Sequence, residues 1–487
     1  MVNPSAARIY VDGRFDDGAG EEIVTVAPAT GQAIATSRSA SPEQVERAVA
    51  GARRAFDTGA WSKVGPAERS ALLHRLADLM ERDRDLIAEL AAHELGTPVT
   101  TGGPQHVDLP LSFLRWFADA AERGPRDGYE EPMTMFPGPP VTTGSMLLRE
   151  PIGVVAAITA YNVPTFMACL KLGGALAAGC STMPLTSPKS VLLSTKFVEL
   201  IDEAGFPEGA VNFVYGPPSV TEQVVSHPAV DMVSFTGSPQ VGARISELAA
   251  PTIKKVVLEL GGKLPNILLP GVEVGPTVAA SSLRFTRNSG QACGATTRTF
   301  VPNDKVDEFV EASREFLATL PLGDPFDPAT LLGPLITAEH RDRVEGYLTR
   351  AREAGGAIPV GGGRPAGLDG FFLDATLVTG LPNSSEIAQE ELFAPVGMVI
   401  GYDTIDEAIA EANNSRYALN ANVWGPIPEA VAVARRIRSG TVAVNGGGPM
   451  RPDAPWGGPA FSGIGREGGE EGFREFFEVK HVQWPLV

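Results

Sequence analysis

The chain has 487 residues, 43% of them apolar and 20% charged, a composition that excludes disorder and a length that exceeds what one hydrophobic core serves. A formal net charge of −18 with no basic cluster excludes a nucleic-acid partner on electrostatic grounds. The three cysteines, Cys169, Cys180 and Cys293, match neither a disulfide framework nor a zinc spacing, so a reducing, cytoplasmic setting and no metal site are expected.

The opening stretch, MVNPSAARIYVDGRF, lacks a charged start followed by an apolar run, and no secretory signal is expected. Pro42 to Asp57 and Pro66 to Glu94 carry apolar residues at three- and four-residue intervals, which predicts amphipathic helices. Proline and glycine then crowd Gly124 to Gly144, where a helix could not persist, so a linker or protruding arm is predicted. The most apolar region, Ile152 to Leu185, is interrupted by Asn162, Pro164 and Lys171 well short of the roughly 20 residues that span a bilayer; burial in a domain is expected, with no membrane partner. Beyond the arm, the strand-like GVVAAIT, AVNFVYG and DMVSFTG alternate with helical stretches, the pattern of a parallel sheet covered by helices. A second alternating series runs from Glu259 to about Ala443, so two α/β units are predicted and no short-period repeat is found.

Four motifs carry chemistry. In DMVSFTGSPQVGARISELA a strand ends at Thr236-Gly237 and a helix opens with Ser238 as its cap and Pro239 in its first turn, a start whose free amides attract phosphate. The standard G-x-G-x-x-G spacing is absent, so this signal is weak alone. Cys293, in RNSGQACGATTR, has small and polar neighbours that would leave its thiol accessible, unlike Cys169 and Cys180 in apolar surroundings. Glu259, in VVLELGGKLPNILL, ends an apolar strand, where it is either a partly desolvated general base or a surface glutamate. Asn162, in AITAYNVPTF, is either an oxyanion donor or the cap of a turn before Pro164.

Together these segments resemble the aldehyde dehydrogenase superfamily: AYNVP, FTGSPQVG, LELGGKLPN, NSGQACG, EELFAPV and PWGGPAFSGIGREGG follow in family order from VDGRF to FFEVKHVQ. The resemblance implies an α/β fold with a Rossmann-like cofactor domain (1–123 and 147–259), a second α/β catalytic domain (260–443, with a return segment 444–470) and a small β oligomerisation arm (124–146 and 471–487). It implies oxidation of a small-molecule aldehyde to an acid, with Cys293 as nucleophile, Glu259 as general base and Asn162 as oxyanion donor. Expected cofactor contacts are Ile158, Thr159, Phe235, Gly237, Ser238, Val241 and Leu260, with Glu391 and Phe393 at the nicotinamide ribose and ring. Glu259 places the chain in the hydrolytic branch, since the acylating, coenzyme-A-using branch lacks that residue, whereas Lys263 and Arg298 read as structural.

Where the family shows Lys-Pro-Ser-Glu, this chain reads Leu185-Thr186-Ser187-Pro188, and Gly216-Pro217-Pro218 brings proline to the phosphate side. Both usual ribose partners are missing, Lys189 stands one turn away, and NAD is favoured over NADP on family frequency alone. Tyr161, in place of the family's tryptophan, is expected to line an apolar funnel with Phe166, Met167 and Trp456, and the lack of a placed Arg or Lys favours an apolar or aromatic aldehyde over a semialdehyde acid. The proline-rich arm near Gly138 and FFEVKHVQWPL imply a homodimer or homotetramer. Two other readings keep the fold: a cofactor-independent cysteine esterase, and a non-catalytic scaffold.

Overall fold

The computed structural model describes residues 6–125, 143–448 and 450–485. The proline-rich segment 126–142, Gly138 included, and the first five residues of the N-terminal stretch lie outside the described residues.

Helix Pro42–Asp57 opens on a capping box: the Gln44 amide donates to Ser41 Oγ at 3.3 Å and the Ser41 amide to Gln44 Oε1 at 2.9 Å. The amphipathic stretch expected from Pro66 to Glu94 is two helices, Pro66–Arg82 and Arg84–Leu95. The break falls at Asp83, a weak helix former whose carboxylate is claimed by Arg82 Nε and Lys196 Nζ, each at 2.7 Å. Helix Pro164–Ala178 is buried on every side except at Phe166, and it stops at Gly179, which adopts a left-handed conformation.

The first sheet orders its strands Gly463–Ile464, Lys255–Glu259, Met232–Thr236, Val154–Thr159, Ser181–Thr186 and Val214–Tyr215. All pairs are parallel except the first, in which the late strand returns antiparallel with Glu259 opposite Gly463. Every residue of Val154–Thr159 and Ser181–Thr186 is buried, as a sheet covered on both faces requires. A second, seven-stranded sheet spans Leu264 to Val444 in the order Ala357–Val360, Thr376–Thr379, Val396–Tyr402, Thr296–Pro302, Leu264–Leu268, Asn420–Trp424 and Thr441–Val444. Thr143–Pro151 and Phe477–Pro485 pair as a separate antiparallel ribbon, so the first of these strands runs past residue 146, where the sequence places the end of the arm. No helix among the described residues is long and apolar enough to cross a membrane.

Arg298 is completely buried beneath the second sheet, donating to Lys263 O (2.9 Å), Asn383 Oδ1 (2.7 Å), Glu411 O (3.2 Å) and Ala412 O (3.0 Å). Replacing it would leave several buried acceptors unpaired at once. Arg298→Met is expected to destabilise the fold by at least about 3 kcal/mol. A shift of the denaturant midpoint reads this, and an unchanged midpoint would show that the carbonyls find other donors.

Candidate active site

Cys293 is delivered by a tight turn, Arg287–Gly290, between helix Val274–Thr286 and strand Thr296–Pro302. Asn288, Ser289 and Gly290 take successive positive φ values of 53°, 53° and 70°, and only the last is a glycine. Such strain persists because its surroundings hold it. Asn288 Nδ2 donates to Asn162 O at 3.3 Å and Ser289 Oγ to Gly333 O at 2.8 Å, while a Cβ on Gly290 would lie 2.1 Å from Ala394 O. The turn also aims the Gln291 carbonyl at Asn162, whose Nδ2 donates to it at 2.9 Å. That bond uses one amide hydrogen, and the other has no acceptor among the described residues.

The Cys293 thiol is half-buried, and desolvation pushes its pKa up to about 12, with the Glu391 and Glu259 carboxylates adding to the effect. The backbone N–H groups of Gly294 and Cys293 act in the opposite direction. Glu259 ends its strand only 3% exposed, with neither carboxylate oxygen hydrogen-bonded among the described residues. Burial and the nearby Glu467 raise its pKa well above the ordinary carboxyl range, while Lys171 and Arg466 partly offset them.

Beside Glu259 lies a polar cluster that the motifs do not announce. Lys171 is completely buried, forms an ion pair with Glu467, and donates to Ser234 Oγ at 3.1 Å; that hydroxyl donates to Glu467 Oε1 at 2.9 Å. The sequence signal was a lone lysine inside an otherwise apolar helix, a position where an unpaired ammonium could not be buried. Trp456 holds Glu467 through reciprocal backbone bonds of 2.6 and 2.8 Å.

Glu391 Oε1 accepts the Gly262 amide at 2.8 Å, and burial raises its pKa to about 7. Phe393 has a positive φ of 59°, and its carbonyl accepts His340 Nε2 at 2.8 Å. Burial lowers the His340 pKa to about 4, which leaves the ring neutral near pH 7. Tyr161 stands edge-on to Phe393 at 6.0 Å between centroids, donates its hydroxyl to Gln291 Oε1 at 3.0 Å, and carries Lys189 Nζ 5.5 Å above its ring.

One continuous cavity of about 2140 Å³ joins these groups, lined from both sheets. Its wall includes Cys293, Glu259, Asn162, Glu391, Phe393, Ile158, Thr159, Phe235, Gly237, Ser238, Val241 and Leu260, together with Tyr161, Phe166, Met167 and Trp456. That is more than one small molecule fills, since single-ligand pockets hold about 300–1,000 Å³. At the helix end, Ser238 Oγ caps Pro239–Ala249 by accepting the Val241 amide at 3.4 Å. At Gly237 an added Cβ would lie 2.3 Å from the Phe235 ring. Leu185 is 1% exposed in the core and off the cavity wall, where Thr186, Ser187, Pro188 and Lys189 stand instead. The helix start and the Glu391 and Phe393 end therefore fit a dinucleotide, and the wall at 186–189 presents no acidic side chain. Among the described residues, no group of three or more His, Cys, Asp or Glu could hold a metal.

A doubly wound sheet facing a second α/β unit across a cleft, with a thiol and a dry carboxylate on its wall, defines a thiol-dependent, dinucleotide-linked oxidoreductase. The sequence profile of the Aldehyde dehydrogenase family matches residues 15–482, and the chain belongs to that family. It is 37% identical over 445 residues to the geranial dehydrogenase of Castellaniella defragrans, covering 90% of each chain. With the betaine aldehyde dehydrogenase of Bacillus subtilis it shares 35% identity over 480 residues, 97% of this chain and 96% of that one. Its fold superposes on the crystal structure of Mycobacterium tuberculosis aldehyde dehydrogenase complexed with NAD+ with a TM-score of 0.92 at 36% identity, covering 99% and 98% of the two chains. An aldehyde dehydrogenase of Pseudomonas syringae, crystallised with NAD+ and octanal, matches with a TM-score of 0.93 at 36% identity, covering 98% of this chain and 96% of that one.

The raised thiol pKa has a direct readout. Alkylation of Cys293 by iodoacetamide is expected to be slow at neutral pH and to keep accelerating through pH 10, because the thiolate fraction grows up to about pH 12. In the alkaline range, where Glu259 has lost its proton, Glu259→Gln removes a neighbouring negative charge and should speed alkylation at fixed pH. Mass spectrometry should find Cys169 and Cys180, both fully buried, unmodified in the folded protein, and a rate that levels off near pH 7 would contradict this electrostatic picture.

Proposed function

We propose that the chain oxidises an aldehyde to a carboxylic acid with NAD or NADP, in the division of labour that the cavity supports. Cys293 Sγ gives up its proton to solvent and bonds to the carbonyl carbon. The oxygen, now bearing the electron pair of the broken π bond, is received by the free Asn162 amide hydrogen and the Cys293 backbone N–H. When bound, an oxidised nicotinamide supplies the acceptor for the hydride that leaves this carbon, so that the carbon becomes a thioester carbonyl. Glu259 then removes a proton from water as the water oxygen bonds to that carbonyl, and the carbon–sulfur bond breaks to release the acid as the sulfur takes that proton from Glu259 and returns to the thiol. Glu391 and Phe393 hold the nicotinamide end, and the Ser238 helix start faces the phosphates.

The observation that carries this reading is Glu259, a buried carboxylate with both oxygens free beside a thiol on one cavity wall. Its raised pKa makes the base form appear only as pH rises, so turnover should climb from the acid side later than an ordinary carboxylate would allow. Glu259→Gln should still release one equivalent of reduced cofactor per site and then stall at the thioester, with steady-state turnover reduced about 10²–10⁴-fold. Cys293→Ala should give neither burst nor turnover. Full steady-state activity in the Gln variant would remove Glu259 from the hydrolytic step, and ester turnover without any reduced cofactor would favour the esterase reading.

Residues 1–123 and 147–259 serve as the cofactor unit and 260–443 as the catalytic unit in this reading, and three unpaired cysteines suit a cytoplasmic setting. We also propose self-association through the ribbon. A two-stranded ribbon is marginal alone, and this one exposes Met146 (46%), Leu147 (47%) and Val479 (53%). Leu147→Lys with Val479→Lys should shift the sedimentation coefficient of a homodimer or homotetramer towards the monomer. A wild-type chain that sediments as a monomer at micromolar concentration would refute the assembly.

A further inference from the structure

The cavity wall holds more positive charge than the proposed chemistry uses. Its acids are engaged or dry: Glu222 with Arg244, Glu390 with Arg416, Glu467 with Lys171, Glu391 with the Gly262 amide, and Glu259 unpaired in the interior. Arg451 is paired with Asp453. Of the remaining guanidiniums on the wall, Arg343 lies within electrostatic reach of Glu391 and donates to Leu392 O at 2.7 Å, whereas Arg284 and Arg287 have no carboxylate partner among the described residues. Arg284 is half-buried and donates to Gly446 O at 2.6 Å, while the exposed Arg287 guanidinium makes no hydrogen bond or ion pair among those residues. The two are neighbours at i, i+3 spacing, where like charges repel, in a chain whose net charge is −18.

Their place in the fold separates them from the cofactor helix start. Arg287 opens the strained turn that leads to Cys293. Gly446, the acceptor of Arg284, and Met450, which packs on the same core cluster as Phe166, lie close together in the chain. Arg284, Arg287, Met450 and Phe166 all face the cavity. An uncompensated cationic pair on the wall of a cleft concentrates the field into the cleft, and a guanidinium presents a planar fork suited to oxyanions.

We infer that Arg287, backed by Arg284, receives an anionic group at the far end of the aldehyde, so the substrate class is an aldehyde with a negatively charged tail. This rests on the dehydrogenase reading and departs from the apolar substrate expected from sequence. The sequence shows both arginines, but only folding brings them to the wall that Phe166 and Met450 share. Carboxylate and phosphate tails share the required chemistry.

The test compares kcat/KM for ω-carboxylated, phosphorylated and unsubstituted aldehydes of matched chain length, on the full-length protein and on Arg287→Gln and Arg287→Lys. The wild type should prefer an anionic tail by about tenfold or more. Arg287→Gln should lose that preference without changing the rate on the neutral aldehyde, added salt should weaken it, and Arg287→Lys should restore part of it. The better of the two anionic tails identifies the source of the charge. Equal wild-type rates on charged and neutral aldehydes, or an equal fall on both in Arg287→Gln, would overturn the inference. Calorimetric titration with dicarboxylates needs no turnover: Arg287-dependent binding by a protein that oxidises no aldehyde would keep the anion site and sink the dehydrogenase reading.

Discussion

A carboxylate taken out of water without a hydrogen bond costs several kcal/mol, and Glu259 is held in that condition. Much of the surrounding structure reads as the means of tolerating it. Its strand is clamped by a parallel neighbour on one side and by the returning Gly463–Ile464 on the other, so the backbone cannot turn the side chain out to solvent. Gly457 passes so close that a Cβ would lie 2.3 Å from Glu259 Oε1, which leaves the carboxyl room on that side. Lys171 and Glu467 neutralise one another nearby, and the net result is a side chain that retains its proton to higher pH than a solvated glutamate would.

A second constraint ties the thiol to the cofactor end of the cavity. Residues in unfavourable backbone regions cost about 1–3 kcal/mol each unless their surroundings over-determine them. Here the strained segments support one another: Gly290, in the turn that presents Cys293, packs against Ala394, which follows the strained Phe393. Gln291 adds a further link, since its carbonyl accepts Asn162 and its side-chain oxygen accepts both Tyr161 Oη and the Ile336 amide. The proposed nucleophile, oxyanion donor and ring support are thus parts of one connected turn system, and displacing one would displace the others.

Charge is distributed with the same economy. The chain is acidic as a whole, while Lys189, Arg343, Arg284 and Arg287 face the cavity, the first two within electrostatic reach of Glu339 and Glu391 and the last two without a carboxylate partner among the described residues. The first two lie near Tyr161 and Leu392 and the last two beside the turn that leads to Cys293, so both stretches of wall favour negative groups.

The α/β architecture was legible in the sequence because periodicity and capping act within a few residues. Apolar runs such as GVVAAIT, the Ser41 and Ser238 caps and the glycine stop after Ala178 are local rules that the chain obeys locally. The motif around Cys293 likewise pointed to the thiol, and the apolar strand before Gly261 pointed to Glu259. The single helix expected from Pro66 to Glu94 misses the break at Asp83, because Lys196, a partner distant in sequence, takes part in holding that carboxylate. Sequence alone therefore determined the element types and their alternating order, and named the side chains on which the proposed chemistry rests. Tertiary structure decided that Lys171 meets Glu467 across 296 residues, that Leu185 turns into the core, and that Arg284 and Arg287 face the cavity. Those outcomes depend on which distant surfaces close on one another and shed their water, and no short window of residues carries that information.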